Sequence, residues 1–136
     1  SPGPPVRYLY VRGLAELAAG DGSAMQATLS QLRRQQDAPD NRKAHKAADA
    51  LEGEWRLQAG DGAAAVRLLR QAHAAPGYEY DAYALALARA LEATGDRAGA
   101  RAAAQAASRR EAPGELRLDL EADRRQATRL LQSLGR

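Results

Sequence analysis

The turn that decides the fold occurs three times, as Ala19-Gly20-Asp21-Gly22, Ala59-Gly60-Asp61-Gly62 and Thr94-Gly95-Asp96-Arg97. Glycine tolerates the left-handed conformation in which many helices end, and a following aspartate can accept hydrogen bonds from the first N–H groups of the next helix. We therefore expect a positive φ at Gly20, Gly60 and Gly95. The cap of the second helix is expected to be either Asp21 or Ser23.

Apolar residues follow each turn at helical spacing. They stand five, nine and twelve residues after each glycine, which places them on one face of a helix with about 3.6 residues per turn. The nine residues are Met25, Leu29, Leu32, Ala65, Leu69, Ala72, Ala100, Ala104 and Ala107. Because this stripe recurs in phase with the turn, the sequence predicts a repeated helical hairpin. We expect Leu69 to be almost fully buried, between its own hairpin and the fifth helix.

The composition is that of an all-α globular domain. Alanine makes up about a quarter of the 136 residues, and there is neither cysteine nor phenylalanine. Leu, Arg, Gln and Glu supply much of the rest and are strong helix formers. A chain of this length buries enough surface to fold without disulfides or metals. The net charge of +3 is small, and acidic residues are interspersed with the basic ones, which indicates solvated helix faces.

The periodicity predicts seven helices in one domain that covers residues 6–136, after a Pro/Gly leader at residues 1–5. Six helices form three hairpins, expected at about residues 6–36, 40–76 and 78–110. The seventh, at residues 115–134, is expected to cap the array, because a stack of repeats needs a last helix with one polar side. Asp40 follows a proline and is expected to cap the third helix.

This pattern resembles the tetratricopeptide repeat family in a divergent form. The family unit has roughly 34 residues in two antiparallel helices, and the turn glycines here lie 40 and 35 residues apart. The family's small residue seven positions before the turn glycine is matched by Gly13, Gly53 and Ala88, and its closing proline by Pro76. The resemblance implies a right-handed α-solenoid of about three repeats. Helical hairpins of another right-handed solenoid remain the alternative.

The middle repeat departs from the family pattern. Its large apolar positions in the first helix fall on Asp49, Glu52 and Arg56, whereas Leu51 and Trp55 stand one residue away. We therefore expect this helix to be rotated relative to the family pattern. The charged residues of the helix are expected to form ion pairs with one another, one turn apart, and not to act as a catalytic acid and base.

The sequence predicts a non-enzymatic protein without catalytic residues, cofactor or metal. It has no cysteine nucleophile and no Gly-rich loop followed by Lys-Ser or Lys-Thr, as phosphate-binding loops have. Neither His45 nor His73 is expected to have an acidic partner one turn away. Basic residues that could form a nucleic-acid stripe are Arg33, Arg34, Arg42, Lys43, Lys46, Arg109, Arg110, Arg124 and Arg125. Most of them lie at predicted helix ends, where cations complement the helix dipole, so a protein partner is favoured over nucleic acid.

The family resemblance directs one set of side chains into a concave groove and implies that this groove binds a peptide or protein segment. The set is Tyr10, Leu14, Leu17, Glu54, Leu57, Gln58, Leu85, Arg89 and Glu92. It combines apolar anchors with both charges, as protein-binding surfaces do. The five tyrosines and Trp55 serve either as core wedges or as groove anchors, and the sequence leaves both open.

We expect this scaffold or adaptor module to be part of a larger bacterial protein or assembly. The Ala/Arg usage is typical of GC-rich bacteria, and the sequence does not begin with Met. A regulatory or sensor domain of a transcription factor or kinase is one alternative, and a scaffold of envelope or polysaccharide-export machinery is another. The sequence contains no membrane span or signal peptide, and its composition fits the cytoplasm and the periplasm equally.

Overall fold

The computed structural model describes residues 4–36, 41–74 and 81–109. These residues contain six α-helices and no strand, which confirms the all-α class for this part of the chain. The helices are α1 Val6–Ala18, α2 Gly22–Gln36, α3 Arg42–Gln58, α4 Gly62–Ala74, α5 Asp81–Ala93 and α6 Arg97–Arg109. The capping helix predicted at residues 115–134 lies outside the described residues.

The three Gly-Asp turns share one backbone conformation and one hydrogen-bonding pattern. Gly20, Gly60 and Gly95 have φ values of 78°, 87° and 88°, which confirms the predicted left-handed conformation. In each turn the glycine N–H donates to the carbonyl three residues earlier and the aspartate N–H to the carbonyl five residues earlier, at 2.8 to 3.1 Å. This Schellman arrangement satisfies carbonyls that the helix end would otherwise leave without a partner.

The aspartate side chain of each turn caps the next helix. Asp21, Asp61 and Asp96 accept through Oδ1 from the backbone N–H three residues later, at 3.1, 3.2 and 2.8 Å. The cap of α2 is therefore Asp21, and Ser23 lies inside the helix. One short sequence thus ends one helix and starts the next at three places.

The cap of α3 is Asn41, so the prediction of Asp40 as the cap was wrong. Asn41 Oδ1 accepts from the Ala44 N–H at 3.1 Å, and Asn41 Nδ2 donates to the Gln35 carbonyl at 3.0 Å. Asparagine is as strong an N-cap as aspartate. Asn41 directly precedes the first helical residue, Arg42, and its amide can also donate to the end of α2. Asp40 itself lies outside the described residues.

All nine residues of the predicted stripe are buried, and Leu69 is 0% exposed. This result confirms the helical register of α2, α4 and α6, because a shift of one residue would turn the stripe toward solvent. Alanine supplies five of the nine positions, including all three on α6. Along this stripe α6 therefore buries only small side chains, which permit a close approach of a neighbouring helix.

The chain divides into two compact units, Ser1–Tyr78 and Glu79–Arg136. In the first unit α1 packs on α2, α2 on α3, α3 on α4, and α1 also contacts α3. In the second unit α5 packs on α6, with Ala84, Leu85 and Ala107 in one buried cluster. No helix in the described ranges is both long enough and apolar enough to cross a membrane.

Side-chain contacts give the helix directions in the first unit. Arg12 bonds to Thr28 and Gln31, and Gln35 reaches back to the Pro4 carbonyl, so α1 and α2 are antiparallel. Where α1 contacts α3, the residue numbers of the contacting pairs rise in the same direction along both helices. Gly13 faces Leu51, and the Leu17 carbonyl accepts from Gln58. The two helices therefore run in the same direction.

Candidate functional site

The candidate site lies where the C-terminal halves of α1 and α3 meet in the first unit. Their approach depends on Gly13, because a Cβ atom there would lie 2.5 Å from Leu51 Cδ2. Further along both helices, Gln58 Nε2 donates to the Leu17 carbonyl at 3.3 Å. That carbonyl also accepts from the Gly20 N–H at 3.1 Å. The end of α3 is thus hydrogen-bonded to the last turn of α1.

Four of the predicted groove residues are accessible on these two helices. Leu14, Glu54 and Leu57 are half-buried, and Gln58 is exposed. Leu14 is three residues from Leu17, and Glu54 is four residues from Gln58, so each lies one turn from the contact between the helices. We call these four residues the α1/α3 surface. It presents two leucines, one carboxylate and one amide.

Three of the predicted groove residues are core residues in the structure. Tyr10 and Leu17 are each 7% exposed in the first unit, and Leu85 is 3% exposed in the second. Their side chains therefore expose little area to a partner, and of the three only Leu17 lines the cleft described below. Tyr10 and Leu17 can support the α1/α3 surface from beneath. The other two predicted residues, Arg89 and Glu92, are half-buried on α5 of the second unit.

A cleft of about 180 Å³ opens beside the α1/α3 surface. It is lined by Leu17, Gly20, Gly22, Trp55, Gln58 and Ala59. A Cβ atom on Gly20 or Gly22 would meet nothing within 4 Å, so the missing side chains of this turn leave the cleft open. The volume is below the range of about 300 to 1,000 Å³ typical of small-molecule sites. The cleft is the size of a pocket for one amino-acid side chain.

Trp55 forms the aromatic wall of this cleft. It is half-buried, and the Arg56 guanidinium carbon stacks 4.8 Å from the centre of its ring. The guanidinium therefore lies over one face of the indole, in the geometry of a cation–π contact. The sequence analysis identified Trp55 without deciding its role, and it treated Gly20 and Gly22 as turn residues without assigning them to a site. The sequence Gly20-Asp21-Gly22 could have indicated the cleft, because two glycines on either side of a capping residue leave a space that no side chain fills.

Two of the charged residues of α3, Asp49 and Glu52, pair with Arg33 of α2, a contact that the prediction of ion pairs along α3 did not include. Arg33 Nη1 lies 3.0 Å from Asp49 Oδ1, and Arg33 Nη2 lies 3.0 Å from Glu52 Oε1. Asp49 is 5% exposed. This position therefore lies in the core, although the sequence analysis expects α3 to be rotated relative to the family pattern. The guanidinium of Arg33 is the cation that makes burial of the carboxylate tolerable.

Asp49 also corrects the interpretation of the histidines. His45 Nε2 lies 3.5 Å from Asp49 Oδ2, so His45 has the acidic partner one turn away that was not expected. Within the ranges that the structure describes, no three His, Cys, Asp or Glu side chains form a group suited to a metal ion. Of the proposed basic stripe, Arg33 is engaged with two carboxylates and Lys46 is 1% exposed. These two residues are therefore not available to such a stripe, and Arg110, Arg124 and Arg125 lie outside the described residues.

The structure therefore presents an accessible surface beside a cleft, built from two parallel helices and the turn between α1 and α2. No family model, curated protein or solved structure matches the chain.

Proposed function

We propose that the chain is a tetratricopeptide-repeat-like interaction module that binds a peptide or protein segment on the α1/α3 surface. The observation that carries the proposal is the register of α1 and α3. Gly13 against Leu51 and Leu17 against Gln58 place the two helices side by side and parallel. In a right-handed solenoid the first helices of successive hairpins line one surface in this way.

The chemistry of the surface supports a peptide ligand. Leu14 and Leu57 are half-buried, so each has apolar area left to contribute to an interface. The amide of Gln58 can exchange hydrogen bonds with a peptide backbone. The cleft beside Trp55 accepts a single side chain, and a side chain fully enclosed against an aromatic wall contributes more affinity than contacts at the rim.

The function requires binding only, and we propose no catalytic step. In the first unit, the caps of α2, α3 and α4 and the packing between α1 and α3 hold the binding surface in place, which lowers the entropy lost on binding. The partner is a protein or peptide, and the module acts as a scaffold or adaptor.

Selection from a random peptide library tests the proposal, because it requires no assumption about the sequence of the partner. A phage-displayed library of random 12-residue peptides is selected against the chain, and the enriched peptides are synthesised. Amide chemical shifts are then followed during titration with each peptide. The proposal expects the largest shifts at Leu14, Trp55, Leu57 and Gln58. Shifts confined to α4 or α6, or failure to enrich any peptide, would contradict it.

A further inference from the structure

We propose that the cleft beside Trp55 selects a tyrosine side chain of the partner peptide. The inference rests on the proposed function, because this tyrosine belongs to the peptide that the α1/α3 surface binds. It adds the identity of the one side chain that enters the cleft. Four features lead to this choice, namely the size of the cleft, its uncharged walls, the indole of Trp55 and the amide oxygen of Gln58.

The size of the cleft matches one six-membered aromatic ring. Its volume is about 180 Å³, and an apolar cavity of about 150 Å³ is large enough to bind benzene. The two fused rings of a tryptophan exceed this space, whereas a side chain as small as that of alanine or serine leaves most of it empty. Atoms that line an unfilled space forfeit the contacts that a well-fitting group would make.

The walls of the cleft favour a neutral occupant. None of the six residues that line it carries a charge. A charged side chain that entered would lose its hydration without gaining an ion-pair partner on the walls. Lysine and arginine are disfavoured for a second reason, because the Arg56 guanidinium carbon already lies 4.8 Å from the centre of the Trp55 ring. Another cation at the same indole would be repelled by it.

Trp55 favours an aromatic occupant over an aliphatic one. It is half-buried, so part of the indole remains accessible where it lines the cleft. Two aromatic side chains in an offset-stacked or edge-to-face arrangement attract each other by more than the burial of their area accounts for. Gly20 and Gly22 add no side chain to the walls, so a flat ring can approach the backbone of the turn closely.

The side-chain amide of Gln58 distinguishes tyrosine from phenylalanine. A backbone carbonyl only accepts, so the hydrogen bond to the Leu17 carbonyl at 3.3 Å fixes which end of the amide is the NH₂ group. The other end, Oε1, is an acceptor that receives no hydrogen bond from residues 4–36, 41–74 or 81–109. A tyrosine hydroxyl can donate to it, whereas a phenylalanine ring would displace its water without supplying a donor.

The probes are the N-acetyl amides of tyrosine, phenylalanine, glutamate and arginine, each of which reproduces one residue of a peptide. Each probe is titrated into the chain while the NMR signals of the Trp55 indole N–H and the Gln58 side-chain amide are followed. We expect the tyrosine amide to shift both signals with a dissociation constant on the order of 1 to 10 mM. The phenylalanine amide should bind at least about threefold more weakly. The glutamate and arginine amides should bind at least about tenfold more weakly.

Two variants locate the tyrosine in the cleft. Gln58→Met replaces the amide with a thioether, which is a weak acceptor, and should bind the tyrosine and phenylalanine amides equally. Gly22→Leu fills the cleft, since a Cβ atom there meets nothing within 4 Å and Gly22, unlike Gly20, has no positive φ. It should bind the tyrosine amide at least about tenfold more weakly. Ser23→Leu, at the next and exposed position, is the matched control and should leave this binding unchanged. Circular dichroism should show equal helix content in all three variants.

Four results would overturn the inference. They are absence of a saturating shift with the tyrosine amide, equal binding of the tyrosine and phenylalanine amides by wild type, a tyrosine preference that persists in Gln58→Met, and undiminished binding by Gly22→Leu. The peptide library separates this inference from the proposed function. Selected peptides that shift Leu14 and Leu57 but share no tyrosine would contradict the inference and leave the proposed function standing. Failure to enrich any peptide, with the tyrosine amide still bound in the cleft, would contradict the proposed function alone.

Discussion

Gly53 and Leu69 meet so closely across the α3/α4 hairpin that a Cβ atom on Gly53 would lie 2.7 Å from Leu69 Cγ. Leu69 is completely buried, and its Cγ is a branch point that cannot swing away. The glycine of α3 is therefore a packing residue, since its lack of a side chain creates the space that the leucine occupies. Gly13 and Leu51 repeat this relationship between α1 and α3.

Gly53→Ala should therefore destabilise the fold although alanine is the better helix former. Overpacking costs about 1 to 3 kcal/mol, against a gain in helix propensity of about 1 kcal/mol. We expect a net loss of up to about 2 kcal/mol in the free energy of unfolding, measured by urea denaturation. The matched control is Gly22→Ala, where the new methyl group meets nothing within 4 Å. Equal effects of the two substitutions would show that the contact is loose.

Leu69→Ala tests the same contact from the other side. Removal of a fully buried leucine should lower the free energy of unfolding by about 2 to 4 kcal/mol. Arg67→Ala, two residues away and exposed, should change it by less than about 0.5 kcal/mol. A urea midpoint for Leu69→Ala equal to that of Arg67→Ala would mean that the stripe does not face the core.

Gly60→Ala tests the backbone of the turns separately from packing. Gly60 has a φ of 87°, and an added Cβ would meet nothing within 4 Å. The cost is therefore conformational and should be about 1 to 2 kcal/mol. Asparagine enters the left-handed region more readily than alanine, so Gly60→Asn should cost less. The prediction fails if thermal unfolding gives the same melting temperature for wild type and Gly60→Ala.

Arg33→Leu tests the ion pairs between α2 and α3. It leaves the Asp49 carboxylate, whose side chain is 7% exposed, without its guanidinium partner. We expect a loss of about 1 to 3 kcal/mol, whereas Arg34→Leu at the exposed neighbouring position should cost less than about 0.5 kcal/mol. A double-mutant cycle with Asp49→Leu measures the coupling. Additive effects of Arg33→Leu and Asp49→Leu would refute the interaction.

Local features of this fold could be predicted from the sequence. The Gly-Asp turns, their caps and the buried stripe each depend on residues within one or two helical turns, and the structure confirms them. Asn41 in place of Asp40 as the cap of α3 is an error of one residue, because both side chains cap helices equally well. The small residues at Gly13 and Gly53 were identified, but their contacts with Leu51 and Leu69 were not predicted.

Features that depend on packing between helices could not be predicted. Arg33 stands 16 residues before Asp49, and nothing in the local pattern selects this partner over one along α3. Tyr10 and Leu17 were assigned to the groove because the family resemblance indicates which face of a helix points toward the groove. It does not indicate how much of that face the neighbouring helices cover. Their burial depends on the packing of α1 against α2 and α3, which are distant from α1 in sequence.

The most direct test of the account is calorimetric titration of a library-selected peptide into wild type and into Leu57→Glu. Leu57 is half-buried, so this variant should keep its helical circular dichroism, whereas Leu85→Glu is unsuitable because Leu85 is 3% exposed. The account predicts at least about a tenfold loss of affinity in Leu57→Glu. It also predicts little change in wild-type affinity with salt, and weak binding of short DNA and RNA duplexes at physiological salt. Undiminished peptide binding by Leu57→Glu, or tight binding of duplexes that falls steeply with salt, would contradict it.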